Sequence, residues 1–388
     1  MRVLSLLTKH IGRLTSMPRW IARGSLALVL AALGSGCSDT SEGVRSPSGQ
    51  NSKSGQSSTS GQGLTFVGFD SNPVLVEALR QGKMQGLVLQ NPHQMGDLGV
   101  RSAVAHLEDA EVTSRIGTGE KLVTPENISD PDLVELLNPP KATSSTDAEV
   151  PKEKSKQWRL LVIPKSTANE FWQSVHAGAL QAAEELGNVE IIWKGPEKED
   201  DYTKQIDLVE KAKALGADGI VLAPVDAKVL VSPVERVIDQ EIPVVIIDSA
   251  LESQRTVSFV ATDNYHGGVL AAKRMAFVLG DKGNVIVLRH MVGSESTEQR
   301  EQGFLETIAR YPEIKVLSQN KYAGATVETA KQTAMTLIKD YRGQVNGIFC
   351  SNEQSTTGML SALEEAGMLK QGEAAAAAGP PGDTKKAP

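Results

Sequence analysis

Residues 243–248 read Pro243-Val-Val-Ile-Ile-Asp248, four consecutive β-branched residues closed by an acid. A half-exposed strand would alternate apolar and polar positions. An unbroken apolar run fits a parallel strand buried on both faces. The same form appears upstream in Gly216-Ala-Asp-Gly-Ile-Val-Leu-Ala-Pro-Val-Asp226, where Gly219–Leu222 is of strand length. Further strands are expected at Arg159–Ile163, Val189–Trp193, Asn284–Leu288, Lys315–Leu317 and Gly347–Cys350. Asn169–Leu186 is helical and stopped by Gly187. Tyr202–Leu215 carries Ile206, Val209 and Ala212 on one helical face, with Gly216 as its cap. Nearer the N-terminus, strands at Thr65–Phe69 and Gly86–Gln90 alternate with helical patterns at Pro73–Gly82 and Gln94–Leu107.

Strands alternating with helices imply a doubly wound α/β architecture with right-handed crossovers. Such sheets bind ligands beyond the carboxyl ends of their strands. Polar residues cluster there: Asp248 after Val-Val-Ile-Ile, Asn352-Glu353 after Gly347–Cys350, Asp70 after Val-Gly-Phe, and Gln90 after Leu-Val-Leu.

Composition sets outer bounds. The chain has 388 residues, 40% apolar and 4% aromatic, enough for one large or two medium domains. Two cysteines exclude a disulfide framework and a Cys-rich zinc site. A net charge of −7 argues against a nucleic-acid partner. There is no Gly-x-Ser-x-Gly elbow, P-loop or Gly-x-Gly-x-x-Gly, and the six His have no metal-ligand spacing. The chain therefore reads as a non-enzyme without cofactor or metal.

The ends differ from the body. Residues 1–25 carry Arg2, Lys9, Arg13, Arg19 and Arg23 and no acid; an apolar run, Leu26–Leu33, then precedes Gly34-Ser35-Gly36-Cys37. Basic start, short apolar core and small-residue exit describe a secretory signal. Eight apolar residues are too few to span a bilayer about 30 Å thick. The cysteine after the small residues resembles a bacterial lipoprotein signal, which implies lipidation of Cys37 and attachment to a membrane. That pattern usually has Leu three places before the Cys, where this chain has Gly34. Residues 38–63 hold nine Ser and five Gly and read as a flexible tether. Loss of the signal's five positive charges leaves −12 on the remainder. Residues 139–157, with Pro-Pro and a Ser-Ser-Thr run, read as a linker, and 371–388 as a disordered tail.

Over 159–370 the sequence resembles the type I periplasmic sugar-binding proteins, the ribose-binding-protein-like components of ABC importers. The resemblance is carried by Lys165-Ser-Thr-Ala-Asn-Glu-Phe-Trp172, the 216–226 and 243–248 segments, Thr262-Asp-Asn-Tyr-His-Gly-Gly268, Gln299-Arg-Glu-Gln-Gly-Phe304 and Ser351-Asn-Glu353. The closing pieces of that fold precede the rest: Val67-Gly-Phe-Asp70, Leu89-Gln-Asn-Pro92, Met95-Gly96 and Leu122-Val-Thr-Pro-Glu-Asn-Ile128. The reading is a two-lobed type I binding protein in circularly permuted order. Residues 64–138 are the usual C-terminal part, 158–370 the N-terminal and central part. The alternative is an unrelated small domain, 64–138, ahead of a truncated binding protein.

The resemblance implies a ligand site made of Asn169, Phe171, Trp172, Asp248, Arg300, Asn352, Asp70 and Gln90. A monosaccharide suits such a set: planar amide, carboxylate and guanidinium groups pair with hydroxyls, and aromatic rings cover the CH faces. Structural readings stay open for each. Phe171 and Trp172 also fit a core pair at a helix start, Asp248 a capping residue, Arg300 a surface charge, and Asn352, Asp70 and Gln90 turn or hinge positions. Glu353, Tyr322 and His290 are weaker candidates. Ribose-binding members have Arg directly after the cleft Asp; here it is Ser249, so ribose itself is not carried over. Cys350 reads as an inert core thiol.

The expected function is capture of a small sugar or polyol between two lobes. Chain crossings near Asp263-Asn264, Gln90-Asn91 and Gly117–Leu122 would act as the hinge, and the closed form would reach an ABC transporter permease. The protein would be a monomer in the periplasm or cell envelope, tethered by lipid. A sensory protein serving a receptor kinase or chemoreceptor is the alternative. A sugar-responsive repressor would need a helix-turn-helix where this chain has an export signal.

Overall fold

Val244–Ile247 is a fully buried strand, as its unbroken apolar run predicts. The structure, a computed structural model, describes residues 63–142 and 157–369. The expected signal with Cys37, the tether up to residue 62, the linker core 143–156 and the tail lie outside the described residues.

Strands and helices are numbered in chain order. Six parallel strands make the first sheet, in the order β3 (Arg115–Gly117), β9 (Ser258–Ala261), β8 (Val244–Ile247), β7 (Gly219–Leu222), β5 (Trp158–Ile163) and β6 (Val189–Trp193). Both faces are covered. Helices α2 (Pro92–Leu107) and α4 (Glu170–Leu186) bury one face through Val100, Val104, Val175 and Ala179. Helices α5 (Tyr202–Glu210) and α6 (Val231–Ile238) bury the other through Leu208, Val209, Val234 and Val237.

The second sheet has the order β11 (Glu313–Tyr322), β10 (Lys282–Arg289), β12 (Gly347–Cys350), β1 (Thr65–Phe69), β2 (Gly86–Leu89) and β4 (Lys121–Val123). Helices α7 (Asn264–Leu279) and α8 (Glu295–Ile308) cover one face, with Phe304 stacked on Phe349 at 4.1 Å between ring centroids. On the other lie α1 (Pro73–Arg80), the short α3 (Val134–Leu137), α9 (Val327–Asp340) and α10 (Glu353–Glu365).

Two α/β lobes with mainly parallel sheets are therefore present. One strand departs from the all-parallel expectation: β4 runs antiparallel to β2. The cause is the short connection. Residues 118–120 join β3 to β4, and three residues span only about 10 Å. The chain therefore enters the second sheet at the end facing the first and must run back along it. Strands β3, β4 and β9 are not anticipated by the sequence: β3 and β4 are only three residues long and carry little periodicity, and β9 opens on the polar Ser258. The α-helix beginning at Tyr202 ends at Glu210 rather than Leu215. Beyond it the chain continues as turns that mix i→i−3 and i→i−4 bonds, and Gly216 (φ 73°) closes them, with the Ala217 N–H donating to the Ala212 carbonyl at 3.0 Å.

The N-terminal segment is not a separate small domain. Strand β1 lies between β12 and β2, paired in register with both. Helix α2 packs on α4 at contact distance: a Cβ on Gly178 would stand 1.9 Å from the His93 carbonyl oxygen, and one on Gly96 1.9 Å from that of Val175. Only glycines allow these two backbones to meet so closely. The chain passes between the sheets after β2 at Gln90, after β3 at residues 118–120 and after β9 at residues 262–263.

Candidate functional site

The carboxyl ends of the central strands of both sheets face one cleft. Beyond β1 comes Asp70, beyond β2 Gln90, beyond β5 Lys165, beyond β8 Asp248, beyond β10 His290 and beyond β12 Asn352; all six line it. The space between the lobes is about 310 Å³, its open mouth included. All eight residues expected to bind ligand, Asn169, Phe171, Trp172, Asp248, Arg300, Asn352, Asp70 and Gln90, lie on its wall. Of the weaker candidates, His290 and Glu353 also line it. Tyr322 does not; it lies at the end of the edge strand β11, over the Arg289 guanidinium.

Asp70 and Asp248 use one backbone device in the two lobes. Each follows a buried strand with a left-handed φ, +67° and +63°. Outside glycine that conformation is uncommon, and Asp is among the residues that adopt it best. The turn aims each carboxylate into the cleft instead of along its sheet. Asp70 accepts from Gln90 Nε2 at 2.7 Å and from the Glu353 N–H at 3.0 Å. Burial pushes its carboxyl up, against the pull of the Arg300 charge and the Gln90 hydrogen bond. Asp248 forms an ion pair with Lys165 Nζ at 2.7 Å.

Arg300 is only 2% exposed, so the surface-charge reading does not hold. Its Nε donates to Asn264 Oδ1 at 2.9 Å and Nη1 to the Ser351 carbonyl at 3.0 Å, and its guanidinium lies 4.6 Å above the Phe69 ring. Nη1 stands 3.9 Å from Asp70 Oδ2. Gln90 Oε1 is buried and, among the described residues, has no hydrogen-bond partner.

Asn169 and Asn352 serve two purposes. Each caps a helix, Asn169 Oδ1 accepting from the Trp172 N–H at 3.1 Å and Asn352 Oδ1 from the Ser355 N–H at 3.1 Å. Their amide nitrogens then point inward, to Glu199 and His290 respectively. Trp172 is 2% exposed and belongs to the core beneath α4, with Phe171 edge-on to it at 4.9 Å. Trp172 thus lies both in the core and on the cleft wall, and its Nε1 donates to Glu199 Oε1 at 2.9 Å.

Glu199 was not legible in the sequence. It lies in the charged run Glu197-Lys-Glu-Asp-Asp201, which looks like solvated loop, yet it is 5% exposed. Four donors converge on it: Trp172 Nε1, Asn169 Nδ2, Gln354 Nε2 and His290 Nε2. Burial alone would raise its pKa. The His290 hydrogen bond, the Lys165 charge and the Trp172 donor outweigh burial and hold it at about 2. Glu353 is the opposite case. Burial pushes it up to about 7, the Asn72 amide opposes this and the Asp70 charge adds to it. Lys165, Ser294, Ser296, Thr297 and Gln354 also line the cleft, with no motif in the sequence marking the last four. Lys165 opens the Lys165–Trp172 segment. Cys350 is fully buried, and burial lifts its thiol well above the usual range, as an inert core thiol requires.

Among the described residues no group of three His, Cys, Asp or Glu side chains is placed to hold a metal, and no helix is long and apolar enough to cross a membrane. The cleft thus offers dense hydrogen-bonding groups and one aromatic edge: equipment for holding a small polar molecule.

Comparison with known proteins agrees. The chain is 29% identical over 180 residues to a xylitol-binding protein of Mycolicibacterium smegmatis, covering 46% of this chain and 51% of that one. It is 28% identical over 209 residues to a D-apiose import binding protein of Actinobacillus succinogenes, covering 54% and 66%. The aligned part therefore spans half to two thirds of these relatives. The periplasmic component of an ABC-type sugar transport system from Hahella chejuensis superimposes with a TM-score of 0.52 at 33% identity, over 54% of this chain and 76% of that one. Residues 160–387, more than half of the chain, match the periplasmic binding protein domain, and the chain belongs to that family.

Proposed function

We propose that this protein is an extracytoplasmic solute-binding protein that captures one small sugar or polyol between its lobes and hands it to an ABC importer. The observation that carries the reading is Gln90 Oε1, a buried acceptor without a partner on a wall otherwise crowded with paired polar groups. A buried acceptor left open costs about 1–3 kcal/mol, and a ligand hydroxyl removes that cost. Asp70, Asp248, Arg300 and Asn352 around it supply the acceptors and donors that a polyhydroxylated ring needs. Relatives that bind xylitol and import D-apiose support a polyol or pentose as ligand class.

Closure follows from placement. Asp248, Asn169 and Lys165 belong to one lobe, Asp70, Arg300 and Asn352 to the other, so a ligand touching both sets favours the closed state by its differential contacts. The test is a thermal-shift screen against pentoses, hexoses and polyols. At least one is expected to raise Tm by mass action, with the shift lost in Gln90→Ala. If no sugar or polyol moves Tm, the reading fails. Stimulation of a reconstituted permease, rather than of a receptor kinase, separates import from sensing.

The order of the parts belongs to the same reading. Residues 64–138 supply β1, β2 and β4 beside β12, the pieces that the resemblance expects at the other end of the chain, so we read the gene product as circularly permuted. Cys37 is its proposed lipid anchor at the membrane, and a Cys37→Ala chain is expected in the soluble envelope fraction.

A further inference from the structure

We propose that Glu199 and His290 together form a specificity-determining wall, which ends the cleft on the β6 and β10 side and so excludes sugars or polyols extended in that direction. This rests on the reading of the cleft as a sugar or polyol site.

The strand ends lay out the cleft in order. In the second sheet β10, β12, β1 and β2 lie side by side, and beyond them stand His290, Asn352, Asp70 and Gln90. In the first sheet β6 is the edge strand, and Glu199 lies on the segment that follows it. Glu199 and His290 are both buried, and Glu199 Oε2 stands 3.0 Å from His290 Nε2. No ligand atom fits between two groups in hydrogen-bond contact. The ligand is left with the strip from Asn352 to Gln90, two strand spacings or about 10 Å.

Hydrogen bonding along the cleft agrees with that placement. A carboxylate oxygen accepts about two hydrogen bonds through its lone pairs. Glu199 Oε1 already has three donors, Trp172 Nε1 at 2.9 Å, Asn169 Nδ2 at 3.2 Å and Gln354 Nε2 at 3.2 Å, and the imidazole meets Oε2. The other ring nitrogen of His290 is met by Asn352 Nδ2 at 3.2 Å. A hydroxyl arriving at this end finds every group engaged and has to part the pair. At the opposite end Gln90 Oε1 is buried and, among the described residues, without a partner. Binding is therefore favoured at the Gln90 end and refused at the Glu199 end, which is selection by exclusion. With the imidazole removed, Glu199 Oε2 becomes an acceptor for one further ligand hydroxyl.

The test uses the full chain and calorimetry. The tightest-binding sugar or polyol is compared with derivatives lengthened by one hydroxymethyl group at each position in turn, on the wild type and on His290→Ala. In the wild type at least one lengthened derivative is expected to bind about 10-fold or more weakly than the parent. In His290→Ala that penalty is expected to shrink by about 10-fold, while penalties at the other positions stay. A wild type indifferent to every lengthening overturns the proposal. So does an equal loss for parent and derivatives in His290→Ala, which marks a purely structural role. If His290→Ala does not fold or binds nothing, His290→Asn replaces the ring by a shorter amide, with the same expected direction and the same overturning results. Should the wild type bind no sugar or polyol at all, the cleft reading fails and this inference with it; should it bind with length penalties that ignore His290, this inference alone fails.

Discussion

Glu199 and His290 meet across the cleft, with Oε2 of the glutamate 3.0 Å from Nε2 of the imidazole. One follows β6 in the first sheet and the other follows β10 in the second. Asn352 Nδ2 lies 3.2 Å from His290 Nδ1. Polar groups therefore meet both ring nitrogens of His290. The contact is a latch between lobes built from buried groups.

The latch has a defined acid limit. The pKa of Glu199 is held at about 2, below its ordinary 4.5. A depressed carboxylate stabilises the fold above the unfolded value, and the contribution fades as pH falls from about 4.5 towards 2. Glu199→Gln is expected to lower stability by about 1–3 kcal/mol at neutral pH, because it sets an amide donor among four donors. It should also flatten the stability curve across that acid range. Urea melts at several pH values measure both.

Glu353 has the opposite sign. Its pKa is raised to about 7 from 4.5, so its contribution is complete below about 4.5 and is lost as pH rises through 7. Glu353→Gln should remove that dependence and be more stable than the wild type above pH 7, relative to their difference at acid pH. Thermal melts at pH 5 and above pH 7 check the crossing.

Gly178→Ala places a methyl 1.9 Å from the His93 carbonyl oxygen, a backbone atom that cannot turn aside. The expected loss is about 3 kcal/mol or more, or failure to fold. Chemical denaturation measures it. Retained stability would mean that α2 does not pack on α4 as described.

Leu64 and Leu369 pack against the same core cluster, so the two ends of the described fold lie on one lobe. A chain rewritten as 157–369 followed by 63–142, with a short flexible joint, should keep the fold and the ligand. Surface-loop termini tolerate such cuts. Circular dichroism and ligand-induced Tm shifts report the result; a molten product would count against the permuted reading.

Much of the fold was legible because it rests on local pattern. Val244–Ile247 and Gly219–Leu222 declare themselves as doubly buried strands, and Asn169 and Gly187 bracket a helix. The position of Asp248 or Asp70 after such a run already points to a strand end. The antiparallel β4 was not legible, since its direction follows from a three-residue connection between sheets that neither strand encodes.

The cleft divides in the same way. Local sequence sufficed for residues whose place follows from the end of a strand or the start of a helix, such as Gln90 and Asn169. It was silent on Glu199, whose neighbours are all charged, and on the partnership of Lys165 with Asp248, 83 residues apart. Burial and charge pairing are properties of residues that meet only when distant segments converge. Chain periodicity specifies the strands and the carboxylates at their ends. Which of those groups are desolvated, which face a partner, and which, like Gln90 Oε1, remain open depends on how the two lobes come together.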